Sequence, residues 1–113
     1  MDALQNLVIA ARLSIQRALL GEIFPQLRAV VFSIVGRDID VRFYIDGLIS
    51  EAGAESASCV ETEIIADYGA EDTVTVRCIR LDSPKPIYDD GVWVYQRRES
   101  KRSLGERFTR NPG

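Results

Sequence analysis

The sequence predicts an α+β fold in which a four-stranded antiparallel sheet carries two helices on one face, a two-layer sandwich with the element order αββαββ. Two segments place apolar residues at helical spacing, and four short segments are rich in β-branched residues or alternate apolar with polar side chains. Of the 113 residues, 46% are hydrophobic and 27% are charged. This composition is typical of one soluble domain that is large enough to bury a core.

The first helix is predicted over residues 3–20. Asp2 followed by Gln5 has the form of a capping box, and Gly21 with Pro25 ends the helix. Its apolar residues form one continuous stripe: Leu4, Leu7, Val8, Ala11, Ile15, Ala18 and Leu19.

A β-hairpin is predicted to follow the first helix. Residues 27–35 read LRAVVFSIV between Pro25 and Gly36, which indicates a buried strand. Residues 36–38 make the turn. The second strand, residues 39–45, alternates a core side (Ile39, Val41, Phe43, Ile45) with a side expected to face water (Asp40, Arg42, Tyr44).

The second half is predicted to repeat this order. Ser50 caps a helix over residues 51–68 that Gly69 closes, with Ala54, Ala57, Val60, Ile64 and Tyr68 on one face. Strands over residues 73–81 and 92–98 follow, and the segment between them holds two prolines and turns the chain back as a second short hairpin. The folded domain is therefore expected to span residues 1–98, with residues 99–113 as a basic, disordered tail.

The absence of histidine argues against several classes of enzyme and metal site for this chain. Histidine is the commonest acid–base group near neutral pH, the usual partner of a catalytic Ser or Cys, and the commonest metal ligand. No enzyme activity, metal or cofactor is therefore expected. No run of about 18 apolar residues is present, and the N-terminal segment lacks the pattern of a secretory signal. Cys59 and Cys78 fit no zinc or disulfide pattern, so both are expected to be reduced core residues of a cytoplasmic protein.

Charge is distributed unevenly along the chain. The formal net charge is -3, but residues 1–96 contain 8 basic and 15 acidic residues, whereas residues 97–113 contain 6 basic and 2 acidic ones. The body therefore carries -7 and the tail +4. An acidic body favours a basic partner, because complementary charge speeds encounter and excludes wrong partners. A merely solvated, soluble surface is the alternative interpretation.

The carboxylates that could form such a binding surface fall into groups. Glu51 and Glu55 lie one helical turn apart on the polar side of the second helix, and Asp67 lies where negative charge opposes the helix dipole. The predicted partner-binding residues are Glu51, Glu55, Asp67, Glu71 and Asp72, with Asp38 and Asp40 near the first hairpin as a reserve patch.

A nucleic-acid-binding module is the alternative function. Phe43, Tyr44, Trp93 and Tyr95 fall on strands, as in sheets that stack single-stranded bases on exposed rings, and Trp93 and Tyr95 share one face. The basic tail offers phosphate contacts. A body carrying -7 would repel the phosphate backbone, and core packing explains the same aromatics.

Four strings of the sequence resemble small bacterial immunity proteins of contact-dependent growth inhibition systems: residues 41–47 (VRFYIDG), 64–67 (IIAD), 79–87 (IRLDSPKPI) and 91–99 (GVWVYQRRE). The resemblance covers residues 3–99. It implies a cytosolic protein without catalytic activity that binds the toxin domain of a delivered effector, often a nuclease, and blocks its active site. No individual functional residue is implied, because interfaces in such families vary with the cognate toxin.

Overall fold

In the computed structural model, which describes residues 2–99, two helices pack against one face of a four-stranded sheet. The helices are α1 (Ala3–Ala18) and α2 (Glu51–Ile65). The strands are β1 (Leu27–Val35), β2 (Asp38–Ile45), β3 (Thr73–Arg80) and β4 (Val92–Gln96). The α+β class and the order of the elements along the chain are confirmed.

The sheet itself is mixed, so the prediction of a purely antiparallel sheet is wrong. Its strand order is β3-β2-β1-β4. β1 and β2 form the predicted antiparallel hairpin, whose turn needs the left-handed conformation of Gly36 at φ 61°. α2 then carries the chain back along the sheet, so β3 runs parallel to β2. β4 pairs antiparallel with the other edge of β1, and β3 and β4 therefore form no hairpin.

The main core lies between this sheet and the two helices. α1 begins at the predicted capping box, in which the Asp2 carboxylate accepts from the Gln5 amide at 2.8 Å. Leu4 and Leu7 are exposed, because the first turns of α1 lie outside the core, and the predicted stripe is buried only further along the helix. The fully buried residues of this core include Ala11, Ile15, Val30, Phe32, Val41, Phe43, Val60 and Ile64.

Residues 81–91, here called the strap, connect the two edge strands across the second face of the sheet. Ile87 of the strap packs in a smaller cluster with Ala29, Val31 and Tyr44. This face was predicted to meet water at Arg42 and Tyr44, but each of these residues is only 8% exposed. The correction follows from the topology, because a connection between opposite edges must cross one face of the sheet.

The C-terminal end of the described chain is joined to the start of β1. Arg28 is 2% exposed and donates from Nε and Nη2 to the two carboxylate oxygens of Glu99, at 2.6 and 2.8 Å, and from Nη1 to the Leu81 carbonyl at 2.8 Å. The predicted boundary assigned Glu99 to the tail, whereas here it partners a buried guanidinium. The remaining tail, residues 100–113, lies outside the described residues.

Candidate functional site

The outward face of α2 carries carboxylates that form no ion pair with the residues that the structure describes. The Ser50 side chain accepts from the Gly53 amide at 2.9 Å and caps the helix. Gly53, Ala57, Val60 and Ile64 are the buried side of α2. Glu51 and Glu55 lie on the opposite side, exposed, and form no ion pair with any residue in the 2–99 range.

The sequence around α2 is acidic, although Asp46, Asp67, Glu71 and Asp72 pair with arginines from elsewhere in the chain. No lysine or arginine occurs between Arg42 and Arg77, while eight carboxylates fall in that interval. Glu63 is a further exposed carboxylate on α2 without an ion pair in the described part of the chain, and the sequence analysis did not select it. Glu61 is used internally, since it accepts from the Val76 amide at 2.8 Å and satisfies a backbone donor of edge strand β3.

Asp67 lies just beyond the C-terminus of α2 and connects the two helices. It accepts from the Ser14 hydroxyl at 2.6 Å and forms an ion pair with Arg17. The Ser14 hydrogen bond, together with the charge of Arg17, lowers the pKa of Asp67. These partners offset the unfavourable position of Asp67 at the helix terminus, which was the reason to select it from the sequence.

Glu71, Asp72 and Asp38 lie close to one another where β2 and β3 begin. Arg37 pairs with Asp72 at 3.1 Å and with Glu71 at 3.5 Å, and Asp72 also accepts from the Gly69 amide. Asp38 is exposed and is the one residue of this group that has no ion pair within residues 2–99. Arg37 therefore balances part of the negative charge at this end.

Asp40 belongs to a different surface. It pairs with Arg42 at 2.7 Å and with Arg77 at 2.9 Å, and the hydrogen bonds from Arg77 and Arg42 lower its pKa. The seven predicted residues thus do not converge on one patch. The 15-residue helix α2 separates Glu51 from the Asp67 end by about 22 Å.

A buried polar cluster between the strap and β2 was missed in the sequence. Asp89 accepts from Arg42 Nε and Nη2 at 2.7 and 2.8 Å and from the Tyr44 hydroxyl at 2.7 Å. The Arg42 hydrogen bond lowers the pKa of Asp89 to about 2, and burial beside Asp89 raises the pKa of Tyr44 to about 12. Every donor in this cluster has its acceptor, so it stabilises the strap rather than leaving a group free for chemistry.

The aromatic residues do not form a shared exposed platform. Phe43 is fully buried, and Tyr44 is held by Asp89. The predicted common face of Trp93 and Tyr95 is wrong, because a bulge in β4 shifts the register between the pairs Val30↔Tyr95 and Val31↔Trp93. Trp93 therefore packs on the strap side and Tyr95 on the helix side.

Cys59 is exposed on α2, so its prediction as a core residue is wrong, whereas Cys78 is half-buried and burial raises its pKa. Within residues 2–99, no group of three acidic or cysteine side chains is placed to hold a metal ion. Neither α1 nor α2 is long and apolar enough to cross a membrane.

Comparison with known proteins agrees with a surface built for binding. No curated protein matches the chain. The family model described as MafI2 immunity protein matches residues 9–99, which is most of the chain and nearly all of its described part. The prediction of an immunity protein is confirmed, whereas the delivery system and the chemistry of the toxin stay predictions. The match begins within α1 and covers α2 and all four strands, and it shows that this chain belongs to the MafI2 immunity protein family.

Proposed function

We propose that this protein binds the catalytic domain of a cognate toxin through the outward face of α2 and blocks its active site. The observation that carries the proposal is the pair Glu51 and Glu55 on α2, which form no ion pair within residues 2–99 and lie in a stretch, residues 43–76, without lysine or arginine. The family supplies the class of partner, a toxin.

A nuclease is the toxin chemistry that this surface fits best. A nuclease site must be basic to hold phosphates, and carboxylates can occupy the positions where those phosphates bind. We infer the same setting that the sequence resemblance implies, a cytoplasmic protein guarding against the toxin domain of a contact-dependent growth inhibition effector. Inhibition of this kind needs binding alone, with no catalysis and no cofactor.

The carboxylates are proposed to contribute unequally. Glu51 and Glu55 have no cationic partner among residues 2–99, so they are the primary contacts. Asp67, Glu71 and Asp72 are secondary because Arg17 and Arg37 already accompany them, and Asp38 and Asp40 remain the reserve patch. A close charge pair that is desolvated at such an interface couples by about 1.5–7 kcal/mol, so one well-placed carboxylate outweighs the net charge.

Protection of growing cells tests this function. The toxin domain encoded beside this gene would be produced together with the wild-type chain, with Glu55→Lys or with Asp90→Lys. Asp90→Lys is the control, because Asp90 is an exposed strap carboxylate without an ion pair in the described region. Both substitutions replace a carboxylate with lysine and therefore change the net charge equally. We expect protection by the wild type and Asp90→Lys and reduced protection by Glu55→Lys. Cell death with the wild type would contradict the function, and equal protection by the two variants would contradict the role of α2.

A further inference from the structure

Three apolar side chains are exposed beside the N-terminus of α2. Leu48 is 79% exposed and Ile49 is 39% exposed in the loop that precedes α2, and Ile23 is 44% exposed in the loop that precedes β1. The two loops are neighbours, because the Asp46 amide donates to the Gln26 carbonyl at 2.8 Å and the ring of Phe24 lies against Gly53. Ile23, Leu48 and Ile49 are here called the pre-helix patch.

The loop holds Leu48 in its exposed position. Gly47 adopts φ 85°, and its amide donates to the Asp82 carboxylate at 2.7 Å. On the other side of Leu48, the Ser50 cap fixes the first turn of α2. An ordered loop that presents a large apolar side chain loses little conformational entropy when a partner covers it, which favours affinity.

Carboxylates adjoin this patch in the sequence. Glu22 adjoins Ile23 in sequence, and Glu51 with Glu55 follow Ile49 along α2. None of the three forms an ion pair with another residue of the described chain. By contrast, the 74% exposed Val35 lies at the far end of β1 beside Arg37, which already pairs with Glu71 and Asp72.

We propose that the pre-helix patch is the apolar centre of the toxin contact, with Glu22, Glu51 and Glu55 as its charged rim. This inference rests on the proposed function and names the matching surface on the toxin domain: an apolar pocket bordered by lysine or arginine. Protein interfaces commonly combine an apolar, water-excluding centre with a polar rim, and a few central side chains carry most of the affinity. The patch thus supplies short-range affinity, and the carboxylates supply orientation and encounter rate.

The matched substitutions Leu48→Ser and Val35→Ser test the patch. Both remove a largely exposed aliphatic side chain, one within the patch and one at the opposite end of β1. Binding of the full-length variants to the toxin domain encoded beside this gene would be measured by titration. We expect Leu48→Ser to weaken binding by roughly tenfold or more and Val35→Ser by less than about twofold. Thermal unfolding should match the wild type in both variants.

The outcomes separate this inference from the function on which it rests. If the wild type binds the toxin domain and Leu48→Ser binds equally well, the patch is not the centre and the proposed function stands. If the wild type does not bind, both proposals fail. Light scattering of the chain without toxin adds a third arm, because a wild-type dimer that Leu48→Ser converts to a monomer would assign the patch to a second copy and overturn the inference.

Discussion

Asp89 of the strap and Arg42 of β2 form a bidentate ion pair, in which both carboxylate oxygens accept from the guanidinium at 2.7 and 2.8 Å. Their side chains are 6% and 10% exposed. The pair fixes the strap on the second face of the sheet, where Tyr44 adds a hydrogen bond to the same carboxylate. This pair therefore joins the strap to β2.

Removal of the Asp89 charge should destabilise the fold strongly. Asp89→Asn removes the negative charge that pairs with the buried Arg42 guanidinium. Breaking such a buried pair commonly costs about 3–5 kcal/mol of unfolding free energy. We expect a loss of about 3 kcal/mol, at the lower end, because Arg42 keeps Asp40 and Ser33 as partners. The loss of unfolding free energy is measured by urea unfolding. Glu71→Gln is the control, since its ion pair is exposed and should contribute under about 1 kcal/mol. Equal losses in both variants would refute the structural role of the buried pair.

The same pair predicts how stability depends on pH. The pKa of Asp89 is lowered from an ordinary 3.8 to about 2. A lowered folded-state pKa gives stability that is fully present above the unfolded value and is lost as pH falls through the folded value. The difference in unfolding free energy between wild type and Asp89→Asn should thus be constant from about pH 7 to about 4 and shrink between about pH 4 and 2. If the difference in unfolding free energy stayed constant down to about pH 2, the lowered pKa of Asp89 would not be the source of this stability.

Gly91 is expected to tolerate no side chain. A Cβ there would lie 2.5 Å from Arg42 Nη2 and 2.7 Å from the Phe32 carbonyl oxygen, and backbone cannot retreat as a flexible side chain does. Gly91→Ala should therefore destabilise by about 1–3 kcal/mol in thermal or urea unfolding. Gly69→Ala is the matched control, because its Cβ would make an ordinary contact at 3.7 Å and should have little effect. Equal stability of the two variants would show that the strap packs differently.

Glu99 should be required for full stability although it follows the last strand. Glu99→Gln removes the charge that faces the buried Arg28 guanidinium and pairs with Arg97. We expect a loss of about 3 kcal/mol in urea unfolding. The neighbouring Arg98→Ala, at an exposed position, should change stability by no more than about 0.5 kcal/mol. No loss in Glu99→Gln would instead support a domain boundary before residue 99.

Local sequence patterns predicted the elements well but not how the outer strands pair. The β-branched run at residues 27–35 and the turn at Gly36 specify a hairpin, since pattern and turn chemistry act between neighbours in sequence. The position of β3 depends on α2, a crossover that favours a parallel partner, and on a strap too long for a tight hairpin. Both signals are present in the sequence, but the two prolines predicted only the end of a strand, and Asp89-Asp90-Gly91 predicted a hairpin turn.

Exposure of charged residues was the least predictable property. Arg28 and Arg42 are buried because Glu99 and Asp89, distant in sequence, arrive beside them. The carboxylates of α2 were easier to place, since helical spacing alone puts Glu51 and Glu55 opposite the buried face. Which carboxylates already have an arginine partner is a tertiary property, and it separates Glu51 and Glu55 from Asp67 and Asp72.

Binding and inhibition of a toxin domain by the acidic face of α2 can be measured in one titration. The purified toxin domain would be titrated with this chain while the toxin's enzymatic activity and the binding heat are followed at two salt concentrations. We expect inhibition that reaches completion at one chain per toxin domain, with an affinity that falls as salt rises and falls further in Glu51→Gln/Glu55→Gln. Undiminished toxin activity at a molar excess of the chain, or binding indifferent to both salt and the double substitution, would contradict the claim.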